Sequence, residues 1–336
     1  MSESTMHAIR VHTPGGPEVL SYDTIARPVP ADGEVLVRVH AVGVNPPDWY
    51  LRDGMKILPP ELRPPLTFPL IPGSDISGVV EAVADDVTAF EPGDEVFGLI
   101  RFPDGLAEAY AEYVTAPVGD LALKPSGIDH VHAAALPMAG LTAWQFIVER
   151  GHDTVPPFQA ELHRPVPLGE GVRVMVNGAA GGVGHLALQL ATWKGAHVVA
   201  VASGGHADFL REIGADEVID YTVTPPEESG ETFDLVLDTV GGPHTSRFLR
   251  NVRPGGALFP VFFGPVDPAQ AAAADVTVSS TQVRANGAQL AELGALVERG
   301  LVVVAIDSTF SLADARLAHE RAALGHIQGK IVLDVA

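Results

Sequence analysis

Residues 172–184 read VRVMVNGAAGGVG, and this stretch decides the fold. Val172, Val174, Met175 and Val176 form a short apolar run suited to a strand buried on both faces. Asn177-Gly178 breaks it. Ala179, Gly181 and Gly184 then fall on the spacing of a G-x-G-x-x-G loop, with Ala in the first place. Leu186, Leu188, Leu190 and Ala191 begin a helix over 185–194. Strand, glycine turn and helix together are the form of a pyrophosphate site. Small residues let the backbone approach the anion, and free N–H groups at the helix start face it. Alone, the same spacing is also a tight turn without a ligand. The surroundings favour the ligand. Apolar runs at 197–202, 217–220 and 233–240 alternate with a helical segment at 207–213, the order of an α/β doubly wound parallel sheet.

The N-terminal part has a different rhythm. Strands are expected at 6–11, 34–44, 77–84, 95–100, 109–115 and 121–124, which makes a β-rich, barrel-like unit. In 34–44, Val35, Val37 and Val39 share one face, opposite Glu34, Arg38 and His40. Asn45-Pro46-Pro47-Asp48 stops that strand, and a short helix or turn follows over 49–55. The pattern turns helical over 130–149, in two pieces separated near Pro137 and Gly140. Beyond the parallel sheet, the expected order is helix 288–299, strand 302–306, helix 312–324 and strand 330–335. The Pro-rich connection 152–170 is long for its place and reads as a surface excursion.

Composition sets outer limits. A chain of 336 residues suits two domains. Lys+Arg 21 against Asp+Glu 42 gives a net charge of -21, which repels nucleic acid phosphates. With no cysteine, disulfides, thiolate zinc ligands and a cysteine nucleophile are excluded. No stretch has the form of a secretory signal or the length of a membrane span. The expectation is a cytoplasmic protein with neither nucleic acid nor membrane as partner.

Several stretches together identify a family resemblance: MHAIRVHTPGGPEVL, AVGVNPPDWYLRDG, PLIPGSDISGVVEAV, EPGDEVFG, AYAEYV, GLTAWQ, NGAAGGVGHLALQLA, LREIGADEVIDY, FDLVLDTVGG and GKIVLDV. The chain resembles the zinc-independent medium-chain dehydrogenase/reductases, most closely the NADPH:quinone oxidoreductase group. The resemblance implies a GroES-like catalytic domain over 1–128 and 269–336. It also implies a Rossmann domain over 129–268. Zinc-dependent relatives carry a cysteine where this chain has the 45–48 loop, and a His-Glu pair where it has Ser74-Asp75. The expected zinc ligands are therefore missing, and no metal is expected.

The loop backbone at Ala180, Gly181, Gly182 and Val183 is the expected pyrophosphate contact. An acid at the end of the next strand would bind the ribose of NAD. Here Ala202 is followed by Ser203, Gly204, Gly205 and His206, with no carboxylate before Asp208. This favours NADPH, with Ser203 and His206 toward the 2′-phosphate. Arg211 either adds to that contact or faces solvent. The resemblance places Tyr221 near the same phosphate. It also puts Thr142, Thr239, Val240, Phe262, Phe263, Gly264 and Lys330 close to the cofactor.

Hydride transfer to a quinone or an enone needs orientation and a donor for the developing oxyanion. By resemblance, Asn45 and Tyr50 lie near the nicotinamide and substrate, with Asp48 orienting them. Two of the three have a plainer explanation: Asn45 as a turn residue before proline, Asp48 as a helix cap. Trp49, Phe68, Phe102 and Phe262 either line an acceptor pocket or fill the core. Two other functions fit the same pattern: a dedicated enoyl reductase of a biosynthetic pathway, and a non-catalytic NADPH-binding sensor or structural protein. The resemblance also implies a homodimer, paired through the sheet edge at 258–263 or 276–279.

Overall fold

The computed structural model describes residues 4–155, 159 and 161–336. The chain forms two compact units, one running up to Met138 and resuming at Arg284–Glu298 and Val304–Ala336, the other comprising Ala139–Val283 and Arg299–Val303. The first unit begins with β1 (Thr5–Val11), β2 (Leu20–Ala26) and β3 (Glu34–Val44), followed by α1 (Pro46–Arg52). Then come β4 (Asp75–Val83), β5 (Glu95–Leu99), β6 (Tyr113–Pro117), β7 (Leu121–Leu123) and α2 (His130–Ala135). β3 is the central strand. Val35, Val37, Val39, Val42 and Val44 all enter the core, while Arg38 stays exposed. Each buried valine contributes about 1.5–3 kcal/mol of apolar transfer.

The helix α1 starts earlier than its sequence suggests. Pro46 and Pro47 end the strand but open the helix, because the first N–H groups of a helix need no intrahelical acceptor. Pairing in β6 begins only at Tyr113 rather than at 109.

The second unit holds α3 (Pro137–Ile147, from Ala139 on), β8 (Arg173–Asn177), α4 (Gly182–Trp193), β9 (His197–Ala202), α5 (Ala207–Glu212) and β10 (Glu217–Asp220). It continues with β11 (Phe233–Asp238), β12 (Val252–Pro260), α6 (Pro268–Ala273) and β13 (Thr277–Val278). Its sheet has the order β10-β9-β8-β11-β12-β13, and every pair is parallel. β11 is buried at all six positions, as a strand covered on both faces must be. The crossover from β8 through α4 to β9 sets the glycine loop at the C-terminal end of β8.

The chain returns to the first unit with α7 (Gly287–Glu298), β14 (Ile306–Ser311), α8 (Ala315–Ala323) and β15 (Lys330–Asp334). The main sheet there runs β14-β15-β3-β4-β5-β7, with β6 also on β3. The strand expected at 302–306 is displaced. Val302 and Val304 are buried without a ladder, and pairing starts at Ile306.

The unit boundaries differ from the domain limits read from sequence. α2 packs on β3 and β4, so the first unit extends to Met138. β13 joins the parallel sheet, so the second unit extends to Val283. The connection 152–170, of which 156–158 and 160 lie outside the described residues, is more than a surface excursion in its described part. His163 is buried between Phe146 and Phe259. Its Nε2 meets the Phe146 carbonyl and its Nδ1 the Ser279 hydroxyl, both at 2.9 Å. Among the described residues, no helix is long and apolar enough to cross a membrane.

Candidate active site

In the first unit, the corner where β3 becomes α1 carries the residues singled out for chemistry. The Asn45 N–H donates to Asp48 Oδ2 at 2.7 Å, one arm of a helix-capping pair. Asp48 is thus the third residue of the helix, and Asn45 is its cap. Asn45 Nδ2 donates to Asp75 Oδ2 at 2.8 Å and to the Gly43 carbonyl at 3.2 Å. Its Oδ1 accepts from the Lys330 ammonium, which also donates to the Val44 carbonyl at 2.9 Å. Asp75 Oδ1 accepts the Met138 N–H at 2.8 Å. Both amide hydrogens of Asn45 are therefore taken within the cluster, so the expected donation to an oxyanion meets an amide already in use.

A second chain of bonds supports Asp48 from behind. Tyr110 donates its hydroxyl to Asp48 Oδ2 at 3.1 Å. His319 Nε2 lies 3.0 Å from the same hydroxyl, and its Nδ1 lies 2.8 Å from Arg52 Nη1. Arginine only donates, so Nδ1 accepts and the ring proton sits on Nε2, pointing at Tyr110. Burial, then the Arg52 charge, pushes His319 down to about 3, in keeping with a neutral ring.

This cluster holds two buried carboxylates and one ammonium. Burial pushes Asp75 up to about 6, against the pull of Lys330 and the bonds from Asn45 and Met138. Burial pushes Asp48 up to about 7, and the Asp75 charge adds to that. Its Oδ1 has no hydrogen-bond partner, a further cost to the ionised form. Lys330 is lowered by burial and partly restored by the two carboxylates. Tyr50, on the same helix, is half-buried, and burial raises its phenol.

Sequence reasoning missed Tyr110 and His319 and saw Asp75 only as part of a lost metal site. The donor set around Asp75 is an amide and an ammonium, a poor surrounding for a dication. Among the described residues, no group of three or more His, Cys, Asp or Glu side chains is placed to hold a metal ion.

In the second unit, the glycine loop is built as its spacing requires. Gly178 takes φ +76°, and its N–H and that of Ala179 both donate to the Val201 carbonyl. A Cβ on Gly184 would lie 2.2 Å from the Gly178 carbonyl oxygen, so only glycine lets the helix start pack on the turn. The first-turn N–H groups of α4, at Gly182, Val183 and Gly184, have no intrahelical acceptor. Ala180 is buried, and Gly181, Gly182 and Val183 are partly exposed. This cradle fits a pyrophosphate.

Asp238, at the end of β11, was noted in sequence only as part of a segment. Its Oδ1 accepts from Asn177 Nδ2 at 2.8 Å and from the Val240 and Gly241 N–H groups at 3.2 and 3.0 Å. Its Oδ2 accepts from the Thr245 hydroxyl at 2.7 Å. The carboxylate thus ties the end of β8 to the 239–241 loop. Thr239 donates to the Asn177 carbonyl, leaving Val240 exposed at the strand end. Gly264 packs so closely on Thr245 that a Cβ would meet its hydroxyl at 2.5 Å. Phe262 and Phe263 stand edge to face, with ring centres 5.4 Å apart. Thr142 is buried on α3. Ser203 and His206 are partly exposed after β9, and Tyr221 is exposed after β10. Arg211 pairs with Asp208 at 3.2 Å, and both side chains are exposed.

A GroES-like unit and a parallel six-stranded Rossmann-type sheet with a glycine-loop cradle define a two-part oxidoreductase of the nucleotide-binding kind. Residues 31–126 match the Alcohol dehydrogenase GroES-like domain family, and residues 213–333 the Zinc-binding dehydrogenase family. The chain is 31% identical to the chloroplast envelope quinone oxidoreductase homolog of Arabidopsis thaliana, covering 99% of this chain and 100% of that protein. The structure of a quinone oxidoreductase from Coxiella burnetii superposes with a TM-score of 0.85 at 30% identity, covering 99% and 100% of the two chains. A mycobacterial protein complexed with NADPH superposes with a TM-score of 0.81 at 30% identity, covering 98% and 100%. The chain belongs to the medium-chain dehydrogenase/reductase superfamily, in its quinone oxidoreductase-like group.

Proposed function

We propose that the protein is an NADPH-dependent oxidoreductase that delivers hydride, without a metal, to a quinone or an α,β-unsaturated carbonyl compound. The observation that carries this reading is the cradle at Gly178–Gly184, where Gly184 admits no side chain. Ala180, Gly181, Gly182 and Val183 would hold the pyrophosphate, with Ser203, His206 and Tyr221 toward the adenosine phosphate. Thr142, Thr239, Val240 and the Phe262–Gly264 segment would border the rest of the cofactor. When bound, a reduced nicotinamide supplies the hydride.

The chain's own residues would orient the partners and meet the charge left on the acceptor oxygen. Tyr50 is the donor in this reading, because its phenol can give a hydrogen bond or a proton. Asn45, Asp48 and Lys330 act by holding the corner that carries Tyr50. Lys330 is buried and spends its hydrogens on Val44 and Asn45, so it serves as a positioning residue.

NADPH oxidation against a simple quinone, a small enone and an enoyl thioester tests the proposal. Turnover of the thioester alone would favour the dedicated enoyl reductase. NADPH binding with turnover of none would leave a non-catalytic binding protein. A homodimer is part of the proposal. β12 is paired on both sides at Ala257 and Leu258, so the sheet edge available to a second copy is β13 together with the part of the 258–263 stretch beyond Leu258.

A further inference from the structure

The end of β9 has no acid of its own, but its neighbour supplies one. β10 runs parallel to β9 with Asp220 in register with Ala202, and the Tyr221 N–H donates to the Ala202 carbonyl at 3.1 Å. The Asp220 carboxylate therefore stands beside the loop that follows β9. The Gly204 N–H donates to it. A Cβ on Gly204 would fall 2.3 Å from Asp220 Oδ2, so the carboxylate lies directly against that loop residue. On its other side, Oδ1 accepts the Thr222 hydroxyl at 2.6 Å and the Thr222 N–H at 2.9 Å. The charge is fixed in place.

On the reading that this loop receives the adenosine ribose, we propose that Asp220 determines cofactor specificity by opposing a 2′-phosphate. A ribose hydroxyl can donate to a carboxylate, whereas a phosphate, mostly dianionic at neutral pH, is repelled by it. Ser203 and His206 favour the phosphate, and Asp220 offsets them. The acid that sequence rules seek at the end of the second strand enters here from the adjacent strand. The bonds from Thr222, and then the Gly204 N–H, hold the carboxyl below its ordinary range, so it stays ionised at neutral pH.

The test is a titration of the full chain with NADPH and with NADH, followed by nicotinamide fluorescence, for wild type, Asp220→Asn and Asp220→Glu. Asp220→Asn is expected to tighten NADPH about tenfold and to leave NADH within about twofold, with the gain shrinking at high salt. Asp220→Glu keeps the charge and is expected to behave as wild type. Equal shifts for both cofactors in Asp220→Asn, or no shift for NADPH, would overturn the inference. A wild-type protein that binds neither cofactor would refute the cofactor reading itself, and this inference with it.

Discussion

The side-chain amide of Asn45 donates to Asp75 Oδ2 at 2.8 Å while its carbonyl oxygen accepts from Lys330, so one neutral residue bridges a buried acid and a buried base. The acid and base themselves stand 3.9 Å apart. Each has its charge desolvated and depends on this bridge for part of its compensation.

Asn45→Ala should therefore act on stability first. It strips one donor from Asp75 and one acceptor from Lys330, both buried. The expected loss is about 2–4 kcal/mol of unfolding free energy, measured by urea denaturation. Turnover is expected to fall with it. An Asn45→Ala protein as stable as wild type would contradict the bridge.

Asp48 gives a pH signature. Its folded value is raised to about 7 from an ordinary 3.8, so the folded state binds the proton more tightly than the unfolded chain. Stability from this group is then present below about pH 4 and lost as pH rises toward 7. Asp48→Asn removes that loss. Its unfolding free energy relative to wild type should climb between pH 4 and 7, by a few kcal/mol at most, and level off above. A difference that stays flat across the window would refute the assignment.

His319 works in the opposite sense. Its folded value is depressed to about 3 from 6.5, so the unfolded chain binds the proton and the folded one does not. Wild type should lose stability as pH falls from 6.5 toward 3. His319→Leu lacks this loss but removes one buried hydrogen-bond partner from each of Arg52 and Tyr110, which keep the Gly15 carbonyl and the Asp48 carboxylate. It is expected to be about 2–3 kcal/mol less stable at pH 7, with the gap narrowing in acid. Urea titrations at pH 7, 6 and 5 check the trend.

How much of this was legible in sequence depended on range. The glycine loop was readable because strand, turn and helix adjoin in the chain, and each imposes its own spacing. The network behind Asp48 was not. Tyr110 lies 62 residues from Asp48, His319 lies 209 from Tyr110, and Arg52 lies 267 from His319. No local period carries such pairings. Asp220 was hidden for a related reason, since the rule for ribose acids follows one strand and the carboxylate arrives by lateral pairing with the next. Pro46-Pro47 misled because proline both ends a strand and opens a helix. Val302 and Val304 misled because burial without a ladder leaves the same apolar pattern as a strand.

Tyr50→Phe separates chemistry from binding. The ring and its packing against Trp49, with centres 6.0 Å apart, are kept, and only the hydroxyl is lost. Turnover with a quinone or an enone should fall about tenfold to a hundredfold while NADPH affinity stays within about twofold. Unchanged turnover would remove Tyr50 from the reaction and leave the acceptor oxygen to another donor.

Two glycines of the second unit, one opening α4 and one in the turn after β9, should answer differently to the same change. At Gly184, an added Cβ meets the Gly178 carbonyl oxygen at 2.2 Å and the Ala179 Cα at 2.8 Å. Both are backbone atoms that cannot swing away as a side chain does, so the turn must open and carry its N–H groups off target. At Gly205, the same Cβ meets nothing within 4 Å. Gly184→Ala is expected to weaken NADPH by at least about tenfold and to destabilise the fold by about 1–3 kcal/mol. Gly205→Ala should leave both within error. Fluorescence titration and urea denaturation of the pair decide the matter, and equal tolerance at the two positions would show that the close packing of the turn does not shape the cofactor site.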